Sequence, residues 1–389
     1  MTNFMNIGVF FGGQSPEHDI SIITGQLIIS GLKKLDYNVY PIYISKKGEW
    51  LIDSKLGDIK TFQDSQPDSH NFPKYNLDIN ASSQKLILKK GGLRSKQIEL
   101  DLAFPAFHGQ NGEDGTFQGF FELANIPYVG CGVAASALAM DKVLTKQLYQ
   151  QHQIPTPHFI YFYSWEWEQD KSQILENIKK KLKWPLIDKP ARLGSSIGIS
   201  KAKNQHELEL ALEVALAYEH KILVEECVSN LADLTCCVLG NDKPKASLIQ
   251  ESSYGADLLS YNDKYLKGGG TQTGKSQNGI VIPADLPAKT TQEIQNLAVK
   301  IFKIIEGSGI ARVDFLYDKK ARKYYANEVN TLPGTLYHHL WQKSGIKLDE
   351  LLEDLIKMAQ ERHNQKQEVT KTFKSSVLQK AGPHKLQVK

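Results

Sequence analysis

The sequence predicts an α/β protein of several domains, on three observations. The chain opens with a strand–turn–helix–strand pattern, the start of an open parallel sheet. Its 389 residues exceed what one simple core organises. Beyond the Pro155-Thr156-Pro157 break, strand-like apolar runs recur and end in an alternating hairpin near Ile310–Val329.

Composition narrows the function classes. Hydrophobic content of 41% and charged content of 23% are ordinary for a globular protein. No apolar run approaches membrane-spanning length, so no membrane partner is expected. The net charge of +4 is modest, and no basic block interleaves with aromatics, so no nucleic-acid partner is expected either. Ile7–Phe11 is too short for a signal-peptide core. Four cysteines (Cys131, Cys227, Cys236, Cys237) form no CxxC pair, which fits a reduced compartment. A cytoplasmic location follows as the expectation. From about His363 onward the chain is rich in Lys and Gln and reads as a disordered tail, 363–389.

Element by element, Ile7–Phe11 is a short strand ending at Gly12-Gly13. Ser15 reads as a helix N-cap with Pro16 at the first helical position. Ile20, Ile23, Leu27 and Gly31 then recur at helical spacing, and Val39–Ile44 resumes a strand. Leu100–Phe107 is another apolar strand, running into His108-Gly109-Gln110-Asn111-Gly112-Glu113-Asp114-Gly115. Three glycines and no aliphatic residue at a strand's C-terminus mark a ligand-facing loop, though His108 alone could be a loop histidine bonded to backbone. Thr116–Ala124 and Ala134–Gln151 read as helices, the second carrying Lys142.

In the second unit Pro185–Pro190 is a strand. It enters the small-residue loop Arg192–Gly198, whose N–H groups and hydroxyls suit a phosphate, with Lys189 adding a point charge. The GxxxxGK[ST] order of a P-loop is absent. Ile222–Val228 is a strand ending in acids, equally a sheet edge or a purine contact. In the third unit Leu234–Leu239 and Ala246–Gln250 are strands. The long polar stretch 252–283 reads as a lid that could bring Tyr261, Lys264 and Tyr265 to a substrate.

The hairpin carries the most chemistry. Residues two apart on a strand share a face. Folding Ile310–Tyr317 onto Lys323–Val329 sets Asp314 opposite Glu328, with Arg312 and Asn330 on the same side. Two carboxylates and an amide oxygen among apolar neighbours suit Mg²⁺ shared with substrate phosphates. A solvated hairpin face with fortuitous charges is the competing reading.

Taken in order, these pieces resemble the D-alanine–D-alanine ligases of the ATP-grasp superfamily, over about Asn6–Gln360. The resemblance rests on Gly-Gly-Gln-Ser-Pro-Glu-His (12–18), the His108–Gly115 loop, Met140-Asp141-Lys142, Lys189-Pro190, Gly194-Ser195-Ser196, Lys264-Tyr265, Arg312-Val-Asp314 and Asn327–Gly334. It implies a three-domain ATP-grasp ligase. An N-terminal open-sheet domain (1–140) precedes central (141–230) and C-terminal (231–362) ATP-grasp subdomains, with the lid at 252–283. It implies the joining of two D-alanines for peptidoglycan precursors through an acyl phosphate, with ATP as co-substrate and two Mg²⁺ (or Mn²⁺) ions. A homodimer is one expectation for the assembly.

By the same resemblance, Asp314, Glu328 and Asn330 are the metal ligands. Lys142, Lys189, Ser196, Glu225, Glu226, Val228, Asp233 and the lid residue Lys264 form the ATP site. Glu17 holds the first D-alanine's ammonium beside His108, and Ser195 and Tyr265 link Glu17 to the closed lid. Arg312 and the Gly334 N–H stabilise the oxyanion of the tetrahedral intermediate.

The chain departs from the family pattern after Pro333-Gly334. Its Thr335–Trp341 segment is shorter by roughly four residues when the Leu-Trp-Gln stretch is taken as a packing anchor, and lacks the acceptor-binding serine. Tyr337, His338 and His339 are the side chains placed to substitute, or they pack against Trp341. Asp233 replaces a glutamate, Ser260 an aspartate of the lid, and Asp188 an apolar residue. Two alternatives follow: a related ligase with a different acceptor, or a nucleotide-binding relative without catalysis. Tyr265 argues against an ester-forming branch, and intact Asp314, Glu328 and Asn330 argue against a dead relative.

Overall fold

The computed structural model describes residues 5–63, 67–91, 96–252 and 279–379. The chain begins β1 (Asn6–Gly12), α1 (His18–Lys34), β2 (Asn38–Ile44) and β3 (Trp50–Ile52). A short α2 (Lys60–Gln63) leads to β4 (Tyr75–Leu77), β5 (Leu86–Lys90), β6 (Gln97–Leu100) and β7 (Leu102–Pro105). The first sheet has the order β3-β2-β1-β7, with β1 parallel to both β2 and β7. The expected βαβ start is therefore present. β1 and β7 both end toward the loops that carry Gly13 and His108, the edge where open α/β sheets bind ligands.

Next come α3 (Thr116–Leu123), α4 (Val133–Met140) and α5 (Lys142–Gln151). The central unit holds β8 (Phe159–Tyr163), α6 (Ser164–Lys181), β9 (Leu186–Pro190), β10 (Ser200–Ala202), α7 (Gln205–Leu216) and β11 (Lys221–Glu226), with sheet order β10-β9-β11-β8. Then follow β12 (Leu231–Gly240), β13 (Lys245–Ser252), β14 (Ile280–Val281), α8 (Ala288–Ile304), β15 (Gly309–Asp318) and β16 (Lys323–Asn330). They build an antiparallel sheet ordered β14-β13-β12-β15-β16. The chain closes with α9 (His338–Lys343) and α10 (Leu348–Glu368).

Several sequence expectations need correction. Ser15 is not the N-cap: Glu17 occupies that position, while Ser15 Oγ accepts from Glu17 N in a preceding turn. The helix read over Ala134–Gln151 is two helices. Asp141 leaves the helical conformation and caps α5 by accepting from Val143 N and Leu144 N, while also pairing with the buried Lys221 ammonium. The strand at Leu100–Phe107 breaks at Asp101. Its first residue belongs to a separate antiparallel sheet, β4-β5-β6, that the pattern did not indicate. Of the lid at 252–283, Ser252 ends β13 and Ile280 pairs with it in β14, so backbone hydrogen bonding claims both margins. Residues 253–278, with Lys264 and Tyr265, lie outside the described residues. At the other end α10 continues past His363 to Glu368, because Lys366 pairs with Glu122 and Gln367 donates to Asn125.

One core spans both ends of the chain. Ile28, Ile29 and Leu32 of α1 pack with Leu239, Ile310, Trp341 and the Leu351, Leu352 and Leu355 row of α10. Gly31 permits the close helix crossing: a Cβ there would stand 2.4 Å from Leu352 Cδ1. This packing brings α1 against the segment after Gly334 and so closes one wall of the site.

Candidate active site

The hairpin reaches the expected pairing through a β-bulge: Phe315 faces Ala326, and the register then shifts by one residue before Asp314, which would otherwise face Asn327. β15 pairs with β16 so that Asp314 faces Glu328 and Arg312 faces Asn330. Arg312 forks onto Asp314, with Nε at 2.9 and 3.0 Å from the two oxygens and Nη2 at 2.6 Å. Thr235 Oγ1 and Asn330 Nδ2 also donate to Asp314, at 3.0 and 3.1 Å. Glu328 lies 3.5 Å from Lys142 Nζ, which also donates to the Leu193 carbonyl at 2.6 Å.

Opposite the hairpin stand the loops of the first sheet. Ser195 Oγ donates to Glu17 Oε1. That approach requires glycine at 194, where a Cβ would lie 2.6 Å from Glu17 Oε2. Ser195 and Ser196 themselves adopt left-handed φ of 54° and 59°. His108 Nε2 meets Thr24 Oγ1 at 2.8 Å. Burial, then the positive Arg312, push the His108 pKa down to about 3, so the ring is neutral. Glu113 Oε2 accepts from Gly109 N at 2.7 Å. Burial and the adjacent Glu17 push Glu113 up to about 8. A single cavity gathers Glu17, His108, Lys142, Ser195, Arg312 and Gly334, together with Glu328 and Asn330. Asp314 sits directly behind Arg312.

A second cluster lies on β9 and β11. Glu225 is fully buried between Lys189 Nζ at 2.6 Å and Lys146 Nζ at 2.8 Å. Burial would raise its pKa, but the two ammoniums outweigh that and hold it down at about 2. Burial likewise works against the Lys189 ammonium, yet Glu225, Glu328 and Asp233 outweigh it and raise its pKa. Lys189 also donates to Asn327 Oδ1 at 3.1 Å, which ties the central sheet to β16. Asp233 thus faces the same cleft as Lys189.

Family models described as D-ala D-ala ligase N-terminus and D-ala D-ala ligase C-terminus match residues 6–131 and 148–357. A D-alanine–D-alanine ligase of Thermoanaerobacter sp. (strain X514) is 40% identical over 367 residues, covering 92% of this chain and 98% of that protein. The chain belongs to the D-alanine–D-alanine ligase family. The solved D-alanine-D-alanine ligase from Coxiella burnetii superposes with a TM-score of 0.78 at 29% identity, over 94% of this chain and 97% of that one. The VanG D-Ala:D-Ser ligase from Enterococcus faecalis also gives 0.78, at 31% identity over 92% and 100%. The fold is accordingly that of the ATP-grasp ligases.

Not every residue expected from the family pattern reaches the ligase cavity. Glu226 turns away from the lysines, as alternation on β11 requires, and accepts from Lys183 N at 3.0 Å. Val228 lies just past the end of that strand. Tyr337, His338 and His339 do not line the cavity. His339 Nε2 meets Gln250 Oε1 at 2.7 Å, and His338 Nδ1 meets the Thr335 carbonyl at 3.1 Å. Burial, then His338, push His339 down to about 4, so it is a neutral ring and not a cationic carboxylate anchor.

Three residues went unread in the sequence. Glu113 sits inside the His108–Gly115 loop, where an acid among glycines at a strand's end is itself a signal. Thr24 lies on the same face of α1 as Glu17, seven residues on, and its hydroxyl also accepts from Thr335 N at 3.0 Å. Lys146 follows Lys142 by one helical turn.

Proposed function

We propose that this chain forms D-alanyl-D-alanine from two D-alanines and ATP, through an acyl phosphate, for peptidoglycan precursor synthesis. The observation that carries the reading is one cavity in which Glu328, Asn330 and Arg312, the last held by Asp314, meet Glu17, Ser195 and His108. A carboxylate is a poor electrophile, and phosphorylation supplies the missing leaving group. Glu17 and Glu113 are two buried acids, one of them holding its proton near neutral pH. Glu17 is the one placed to hold a substrate ammonium. The neutral His108 orients the substrate without competing for that charge. Lys142 and Lys189 supply positive charge along the phosphate path. Arg312 and the Gly334 N–H lie where a developing oxyanion would be stabilised.

Asp314, Glu328 and Asn330 offer the hard oxygen donors that Mg²⁺ or Mn²⁺ takes; to bind, Asp314 would have to free an oxygen from its Arg312, Thr235 and Asn330 donors, and Asn330 would turn its amide and give up its bond to Asp314. When bound, two such ions would neutralise charge on the transferring phosphoryl group. Ser196, Glu225, Glu226, Val228, Asp233 and Lys264 complete the nucleotide side of this reading, with Tyr265 on the lid. Domain limits near 140, 230 and 362, a cytoplasmic location where ATP is present, and a homodimer belong to the same proposal. Light scattering would test the last.

The test is ATP-dependent phosphate release across D- and L-amino acids, singly and in pairs. D-alanine alone should support turnover. Glu328→Ala should abolish it while leaving the thermal transition in place; a well-folded variant with wild-type release would misplace the site. The short Thr335–Trp341 segment, with no side chain of Tyr337, His338 or His339 in the cavity, favours a second reading, a ligase whose acceptor is not D-alanine. Turnover that requires D-alanine plus a second amine would select it.

A further inference from the structure

The segment after Pro333-Gly334 has an unusual backbone. Thr335, Leu336 and Tyr337 have φ of 49°, 54° and 49°, three consecutive non-glycine residues in the left-handed region. L side chains avoid that region, so such a run persists only where its surroundings over-determine it. Those surroundings are visible. Thr335 N donates to Thr24 Oγ1 at 3.0 Å, and Leu336 N to the Pro333 carbonyl at 2.8 Å. Leu336 and Tyr337 are both buried in the core shared by α1 and α10.

The outcome of the turn is the direction of one ring. The guanidinium carbon of Arg312 lies 5.1 Å from the centroid of the Tyr337 ring, within cation–π range. Asp314 grips the edge of the same guanidinium through Nε and Nη2. A carboxylate fork fixes two nitrogens in a plane, while a ring face limits tilt of that plane. His339 backs the ring at 4.9 Å between centroids and is itself held by Gln250.

We propose that Tyr337 is a positioning residue for Arg312, holding the guanidinium plane toward the cavity beside Gly334. This rests on the reading of Arg312 as the oxyanion-stabilising group. The positioning is assigned to the ring face, which Y337F keeps. The shortened segment therefore acts on the site through Arg312.

The test compares Y337L, Y337M and Y337F by kcat, KM for ATP and thermal midpoint. Y337M, unbranched and flexible, can adapt to the space left by the ring without supplying a ring face, and serves should Y337L not fold. Displacing a catalytic group by about 1 Å costs roughly 100-fold, so Y337L and Y337M should lose on the order of 10- to 100-fold in kcat, with KM for ATP within about twofold. Y337F should recover most of that loss. On an R312K background, Y337M should cost little more, because both changes act on one group. Wild-type kcat in Y337M, multiplicative losses in the double variant, or equal loss in Y337F and Y337M would each overturn the proposal. A wild-type chain inactive with D-alanine would instead sink the functional reading. In that case a crystal structure of Y337M still decides: an Arg312 guanidinium that has not moved refutes the positioning role.

Discussion

Asp188 and Lys189 are neighbours on β9 and face opposite sides of the same sheet. Both are buried, but their environments differ. Lys189 has Glu225 at 2.6 Å and Asn327 at 3.1 Å, and its charge is answered on the cleft side. Asp188 is 0% exposed and neither of its oxygens has a hydrogen-bond partner. Its cross-strand neighbours are Val224 and Ser200, and α7 covers that face with Leu208 and Leu212. Burial pushes the Asp188 carboxyl up to about 7; the N–H groups of Asp188 and Ser200 lie near enough to offset this in part but too poorly aligned to count as hydrogen bonds. A buried charge survives where a partner answers it, and otherwise the group gives up its charge. The cleft side of β9 is built for ions. The helix side is an apolar core with one acid in it.

Breaking the paired side should have the largest effect. Glu225→Ala would leave Lys146 and Lys189 as buried cations without their shared counter-ion. The expected loss is about 3–5 kcal/mol in urea denaturation, together with loss of turnover. A loss below about 1 kcal/mol would mean that water reaches the cluster and the comparison is misdrawn.

The unpaired side should respond in the opposite direction. Native Asp188 keeps its proton up to about pH 7, whereas an unfolded aspartate loses it near pH ~4. Between those values the native state binds more protons, so its stability falls as pH rises and levels off above about 7. Asp188→Val should remove that fall and gain roughly 2–4 kcal/mol at pH 8, with a smaller gain near pH 4. Thermal or urea unfolding across pH 4–8 measures it. Parallel curves for the two proteins would show that Asp188 is already ionised or solvated.

A smaller effect sharpens the first. Lys146→Met removes one ammonium but leaves Glu225 paired with Lys189, and it also deprives Thr156 of its 2.8 Å donor. The expected cost is about 1–3 kcal/mol, clearly below that of Glu225→Ala. KM for ATP should rise, because Lys189 would then share its partner with nothing. Equal losses in the two variants would indicate that Lys146, and not Glu225, organises the cluster.

How far the site was legible depends on how local its contacts are. Which hairpin residues share a face along each strand was readable because side-chain alternation has period two, whereas the bulge that moves Asp314 onto Glu328 was not. The strand ends at Gly13 and His108 were readable because apolar runs stopped at glycine-rich loops. The β4-β5-β6 sheet was not, since its strands are only three to five residues long and too short to show an alternation, and the Asp141 break was hidden because apolar periodicity continues across it. Asp188 was visible as an oddity but not as an unpartnered acid, because its sidedness depends on the pairing of β9 with β10 and β11.

The sequence by itself determined the α/β class, the order of the main elements and the glycine-rich loops at the ends of β1 and β7. All of these follow from periodicity and turn chemistry within short windows. Only the tertiary structure decided that Lys146 reaches Glu225, that Thr24 joins His108 to Thr335, and that Tyr337 lies on Arg312. Each of those contacts joins segments far apart in the chain, and Thr24–Thr335 spans 311 positions. Their geometry is set by how helices and sheets pack, and side-chain periodicity carries no information about which distant face will meet which.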